Sequence, residues 1–281
     1  MTERQIAQRV VAVTGGGRGI GLATTRALVA RGARVAVGDL DEELAARAGG
    51  ALGAALDVTS RDSFAAFLER TAAELGPIDV LINNAGVMHV GPFLDEDDAW
   101  TRRQFDVNVH GVILGCKLAL PAMLARRSGH IVNVASAAAK VGVPREAVYA
   151  ATKHAVLGLS ESLRAELRGT GVDLSVVMPG LVRTELAAGT LQGSKVLAPE
   201  DVAEAIVGAI ERPRFDVYVP RSYSGLPVLA ALLPRRAREA FLRAIGVGRN
   251  TAGTTAEARS AYEGRYSGES ENPGGLGRTP G

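Results

Sequence analysis

Tyr149-Ala150-Ala151-Thr152-Lys153 places a phenol and an ammonium four residues apart, side by side on one face if the stretch is helical. A titratable hydroxyl beside a positive charge is suited to proton transfer. The same spacing also describes a half-buried aromatic next to a solvated lysine, and the pair alone does not decide between them. A second stretch, Gly15-Gly16-Gly17-Arg18-Gly19-Ile20-Gly21, is suited to holding an anion. Glycines let a backbone approach phosphate oxygens closely, and a helix N-terminus behind them offers free N–H groups and the positive end of a dipole. The third feature is Asp39, eighteen residues after Gly21. A carboxylate there can accept hydrogen bonds from both hydroxyls of an adenosine ribose, and it repels a 2′-phosphate.

These residues need elements that bring them together. Arg9 to Thr14 is a short apolar run rich in valine, and Leu22 to Arg31 reads as a helix, so the glycines fall between strand and helix. Arg34 to Gly38 is the next strand, with Asp39 at its carboxyl end; capping a helix that starts near Glu42 is the other role open to Asp39. Strands follow at Gly53 to Leu56 and Ile78 to Ile82, separated by a helix over Ser60 to Leu75. Asp57-Val58 and Asn83-Asn84-Ala85-Gly86 stand at their carboxyl ends, where Asp57 could accept from an adenine amino group or cap the following helix. Asp97 to Arg126 is a long helical stretch carrying Asn108 among Phe105, Val107, Val109, Val112 and Ile113. A side-chain amide in that setting needs partners, so it either ties two helices or holds a water. His130 to Ala135 is another strand, ending at Ser136, and Tyr149 follows thirteen residues later on a helix reaching about Arg168. Val172 to Met178 and Phe215 to Val219 complete the strands. Such alternation predicts an α/β fold: a single Rossmann-type doubly wound parallel sheet of about seven strands, helices on both faces, and ligands at the carboxyl ends.

Composition narrows the class. With 281 residues and 47% hydrophobic content the chain can build one large core and does not require two. A net charge of +2 supplies no basic field for nucleic acid. Cys116 is the only cysteine and can form no intrachain disulfide, which fits a reducing cytoplasm. The N-terminal residues do not read as a secretory signal, and no run of eighteen or more apolar residues suggests a spanning helix. No metal-ligand set is assigned.

Taken in order, Thr14-Gly15-x-x-x-Gly19-x-Gly21, Asp39, Asp57, Asn83-Asn84-Ala85-Gly86, Asn108, Ser136, Tyr149-x-x-x-Lys153 and Pro179-Gly180 resemble the short-chain dehydrogenases/reductases over about residues 8 to 222. That resemblance implies an NAD(P)-dependent oxidoreductase moving a hydride between a nicotinamide and a secondary alcohol or ketone. Tyr149 would be the general acid/base, Ser136 would polarise the substrate oxygen, Lys153 would bind the nicotinamide ribose, and Asn108 would hold a water relaying protons from Lys153. The implied cofactor contacts are Gly15, Gly17, Arg18, Gly19, Ile20, Gly21, Asp39, Leu40, Asp57, Val58, Asn84, Ala85 and Gly86, with Tyr149, Lys153, Pro179, Gly180, Val182 and Thr184 toward the nicotinamide. Asp39 favours NAD, whereas Arg18 inside the glycine turn would favour NADP. A phenol titrates near 10, and one positive charge about 4 Å away at a dielectric of about 20 is worth ~4 kcal/mol, nearly three pKa units. On that reckoning Lys153 and a cationic nicotinamide would bring Tyr149 into a useful range. Loss of catalysis with retention of nucleotide, a scaffold, is the competing function.

The remaining stretches bear on substrate and assembly. Residues 183–198 suit a mobile lid. Ala138, Val143, Leu181 and Leu186, with Ala137 and Val141, are expected to face Tyr149; none is charged, which points to a neutral, lipophilic secondary alcohol or ketone. An apolar block followed by arginines, about 226–245, reads as a C-terminal helix packed over the substrate site, a surface helix allowing peripheral membrane association, or an oligomer contact. The dehydrogenase domain is expected to end near 247, with 248–281 a largely disordered tail. Resemblance also implies a homo-oligomer, a tetramer or dimer, joined through helices near 97–126 and 147–168.

Overall fold

A computed structural model describes residues 5–190, 196–225, 229–230, 232–248, 254, 259 and 262–265. Seven strands form one parallel sheet: β1 (Val10–Thr14), β2 (Arg34–Asp39), β3 (Leu52–Ala55), β4 (Val80–Asn83), β5 (Gly129–Val134), β6 (Val172–Pro179) and β7 (Asp216–Val219). Their order is β3-β2-β1-β4-β5-β6-β7. Strand β1 is buried along its whole length, pairing Val11 with Val35 on one side and with Val80 on the other. Burial on both faces explains its unbroken apolar run.

Two hydrophobic cores lie on the two faces of the sheet. On one face α1 (Gly19–Val29) and α7 (Pro199–Glu211) pack Leu28, Val202, Ile206 and Ile210 against Val11, Val35 and Val177. On the other, α3 (Arg61–Leu75), α5 (Gly111–Ala125) and α6 (Ala147–Glu166) bring Phe64, Phe67, Leu114 and Val156 against Leu81, Ile131 and Val176. The short α2 (Glu42–Arg47) lies beside β3. Chain order runs outward in opposite directions from β1 and β4, so a crevice opens between their carboxyl ends. Asp39, Asp57 and Asn84 stand at or just past the carboxyl ends of β2, β3 and β4, along the same edge of the sheet.

The long helix expected over 97–126 has three parts. Helix α4 (Asp98–Phe105) passes through a π-turn, Asp106–His110, into α5. Among the described helices this continuous Asp98–Ala125 stretch alone has the length and hydropathy to cross a membrane, and half of its apolar window is buried inside the fold. Helix α8 (Arg235–Ala244) contains no buried residue. Residues 191–195 of the expected lid and 226–228 and 231 of the apolar block lie outside the described residues. So does most of the tail; within it, however, Arg259 and Tyr262 are buried, which departs from the expectation of disorder at those two positions.

Candidate active site

The glycine turn has the shape that its residues suggest. Gly15 and Gly19 take φ of +61° and +50°, and an added Cβ at Gly21 would lie 2.1 Å from the Gly15 carbonyl oxygen. No side chain caps the first turn of α1, and no acidic residue stands there. Its N–H groups and dipole therefore face the crevice uncompensated, a cradle matched to a pyrophosphate.

Asp39 supports this turn. Its Oδ2 accepts from Gly17 N at 2.9 Å, and its Oδ1 accepts from Asp41 N at 3.2 Å. Asp41, rather than Asp39, caps α2 through Leu44 N, and Ser60, rather than Asp57, caps α3. The capping roles open to Asp39 and Asp57 in the sequence are thus filled by neighbours. Asp57 Oδ1 instead accepts from the Thr59 amide and hydroxyl. Asn84 Nδ2 donates to the carbonyls of Thr14 and Gly15, both at 3.0 Å, and Thr14 Oγ1 accepts from Asn84 N and Ala85 N. These bonds lock the end of β4 onto the glycine turn.

A cavity of about 820 Å³ runs along the crevice. Gly15, Arg18, Gly19, Ile20, Asp39, Leu40, Asp57, Val58, Asn84, Ala85 and Gly86 line it, continuing to Tyr149, Lys153 and Thr184. Gly17 and Gly21 shape the turn without lining the cavity. A second cavity, about 530 Å³, opens on the other side of Tyr149. Ala138, Val143, Leu181 and Leu186 line it, as do Pro179, Gly180 and Val182 from the end of β6. Tyr149 and Thr184 border both cavities.

Ser136 stands just past the end of β5, where its Oγ accepts from Ala138 N at 3.1 Å and where it borders the same cavity as Tyr149. Tyr149 lies one helical turn into α6. Burial first, and then the negative charge of Glu146, push its phenol above the ordinary value, with Ser136 opposing the rise. Lys153 is 4% exposed; its Nζ donates to Val134 O at 3.1 Å and sits 5.6 Å from the Tyr149 ring centroid. Burial pulls its ammonium down to about 8. Burial thus favours the neutral form of both groups, an effect that the spacing of the pair does not disclose.

Asn108 sits in the π-turn, fully buried. Its Oδ1 accepts from Val87 N and its Nδ2 donates to Val87 O, both at 2.8 Å, with a further bond to Thr152 Oγ1 at 3.1 Å. The amide thus ties the β4 loop to α6. Gly86 lies between, since an added Cβ would meet Asn108 Oδ1 at 3.2 Å and Lys153 Nζ at 3.6 Å.

Several residues of this region were not singled out from sequence. Lys140, Glu146, Tyr218 and Tyr223 line the second cavity, so its wall is not uncharged as expected. Leu242 and Ile245, at the end of α8, close one side of it. From the far C-terminus, Tyr262 joins Trp100 and Val87 in an apolar cluster and borders the larger cavity. Arg259 donates to the carbonyls of Leu186 at 2.8 Å, Ala188 at 3.4 Å and Met88, so it spans the loops after β4 and β6. Arg265 adds an ion pair to Glu185 at 2.6 Å. Charged donors to buried carbonyls contribute about 1.5–3 kcal/mol each. Arg259→Ala is therefore expected to release this strap and raise KM. Limited proteolysis checks it: faster C-terminal cleavage is expected, and cleavage at the wild-type rate would contradict the docking role.

Comparison with known proteins agrees with this geometry. Residues 9–195 match the family model described as short chain dehydrogenase. The chain is 37% identical over 228 residues to a 2-(S)-hydroxypropyl-CoM dehydrogenase of Xanthobacter autotrophicus, covering 72% of this chain and 89% of that one. It is 40% identical over 220 residues to a cis-4-hydroxycyclohexanecarboxylate dehydrogenase of Sinomonas cyclohexanicum, covering 71% and 88%. Among solved structures, a short chain dehydrogenase/reductase of Burkholderia phymatum in complex with NAD superposes with a TM-score of 0.75 at 28% identity, over 81% of this chain and 94% of that one. The chain belongs to the short-chain dehydrogenase/reductase family. It is an oxidoreductase of the kind that acts on CH–OH groups.

Proposed function

We propose that this enzyme transfers a hydride between NAD(H) and a neutral, mainly lipophilic secondary alcohol or ketone, with Tyr149 as the general acid/base. The observation that carries the reading is the position of Tyr149 on the border of both cavities, with Ser136 lining the second one beside it. One cavity has the phosphate cradle and a ribose acceptor; the other is predominantly apolar. NAD, when bound, would supply the hydride acceptor and a positive charge on the nicotinamide ring. The protein's part is to orient the alcohol between Ser136 and Tyr149, to take its proton at Tyr149 Oη, and to keep bulk water away with the loop after β6. Lys153 holds the nicotinamide ribose in this reading, and Asn108 fixes the loop and helix on which the proton route depends.

NAD is favoured over NADP by charge. Arg18, the basic residue of the glycine turn, is already paired with Asp41 at 3.4 Å and Glu185 at 3.2 Å, and Asp39 lines the same cavity. Three carboxylates around that position oppose a phosphate dianion. NADH and NADPH titrated by fluorescence decide the matter, with tighter NADPH binding refuting the choice. Asp39→Ser is expected to weaken NADH binding about tenfold or more, since a charge-assisted ribose contact and the Gly17 support are both lost. Equal NADH affinity in the variant would remove Asp39 from the cofactor site.

Helix α8 is read as a wall of the substrate cavity rather than a membrane anchor, because Leu242 and Ile245 face that cavity. A cytoplasmic homo-oligomer assembled through α4–α5 and α6 is the reading for the native state. Leu118, Leu159 and Leu163 pack partly on the core and leave apolar surface, and Leu124 is exposed. A monomer by light scattering would refute it.

A further inference from the structure

The substrate cavity contains a carboxyl that the proposed chemistry leaves unused. Glu146 immediately precedes α6, one turn ahead of Tyr149, and both side chains border the same cavity. Its backbone is structural: the N–H donates to Val143 O at 3.2 Å and the carbonyl accepts from Ala150 N at 2.8 Å. Its carboxyl makes no cap to the helix it precedes. Among the described residues no hydrogen bond or ion pair engages that carboxyl, and two cations of this region, Arg259 and Lys140, pair with other groups. Arg259 is bonded to Leu186, Ala188 and Met88 and paired with Glu263 at 3.2 Å; Lys140 pairs with Glu161 at 3.7 Å. Burial pushes the Glu146 carboxyl up to about 7, with Arg259 opposing the rise. The carboxyl borders the cavity without a donor from the protein, which leaves its acceptor capacity to a ligand group.

The surroundings indicate what that ligand group would be. Ala138, Val143, Leu181, Leu186 and Leu242 offer apolar contact to the body of a substrate whose carbinol is held at Tyr149. A carboxyl one helical turn from the reacting centre can then meet a substituent on the same molecule, and in its ionised form it is complementary only to a donor. We propose that Glu146 is a specificity-determining residue that receives a hydrogen-bond donor, a second hydroxyl or an amine, carried by the apolar body of the substrate away from the reacting carbinol. This rests on the dehydrogenase reading of the Tyr149 site.

The test uses NAD-dependent oxidation of cyclohexanols bearing a methyl, a hydroxyl or an amino group at the para position. It compares the full-length wild type with Glu146→Leu and Glu146→Gln. Each comparison is a ratio of kcat/KM to that of the methyl compound within one protein form, so general losses cancel. In the wild type the hydroxyl or the amino compound is expected to be favoured about tenfold or more. Glu146→Leu is expected to bring the ratio to near unity, while Glu146→Gln, which keeps an acceptor but no charge, retains part of a hydroxyl preference and loses an amine preference. Which ratio is raised in the wild type tells hydroxyl from amine. A wild-type ratio at or below unity for both compounds, or a preference surviving in Glu146→Leu, overturns the proposal while leaving the dehydrogenase reading intact. Absence of turnover with every compound, in protein that binds NADH, overturns that reading and this proposal with it.

Discussion

Tyr149→Phe is expected to lower kcat by roughly a hundredfold to ten-thousandfold, the range contributed by a positioned acid or base. The change removes one oxygen from a side chain that is 7% exposed, and the ring keeps its packing with Met88, Val90, Ala138 and Ala150. Folding and NADH affinity should therefore persist, so the loss falls on turnover rather than on binding. A turnover deficit of this kind also separates an enzyme from a nucleotide-binding scaffold. Steady-state rates with a competent alcohol check it, and a variant turning over at the wild-type rate removes Tyr149 from the chemistry.

Lys153→Met should be nearly as severe, with a different signature. The ammonium is proposed both to bind the nicotinamide ribose and to assist the phenol, so kcat and NADH affinity are expected to fall together, affinity by about tenfold or more. Unchanged affinity would leave only the proton-transfer half of the role. The free protein offers an independent readout. Because the folded-state value of Lys153 is lowered from 10.5 to about 8, the unfolded chain binds more protons between those pH values. Stability from this group therefore rises as pH increases through that window and is lowest below it. In Lys153→Met that component should vanish: the variant without cofactor is expected to melt higher than wild type near pH 8, with the difference shrinking toward pH 10.5. Parallel melting curves across the window would show that burial does not perturb this lysine.

The frame of the fold was legible because its strands are buried on both faces and so read as unbroken apolar runs, as Val10–Val13 and Val80–Ile82 do. The phosphate turn was legible because Gly15, Gly19 and Gly21 meet steric demands that other residues do not. What escaped the sequence was of two physical kinds. One is local chemistry hidden by an ordinary pattern: the π-turn that carries Asn108 sits in a stretch that reads as one continuous helix, and Glu146 looks like a solvated helix start until its carboxyl is seen to face a cavity. The other is distance along the chain. Arg259 reaches Met88 across 171 residues from a stretch whose Gly, Ser and Thr content indicates disorder, so no local signal marks it as a strap. The electrostatics of the Tyr149 pair belong to both kinds, since spacing alone does not disclose that Lys153 turns toward the Val134 carbonyl or that burial dominates.

The central claim is hydride exchange between a carbinol carbon and NAD at the Tyr149 site, and isotope transfer tests it most directly. A cyclic secondary alcohol deuterated at the carbinol carbon is incubated with the enzyme and NAD, and the nicotinamide product is analysed by mass spectrometry. Stoichiometric deuterium in NADH, lost in Tyr149→Phe together with ketone formation, is the expected result. Ketone formed with unlabelled NADH, or full transfer by the variant, would contradict the account.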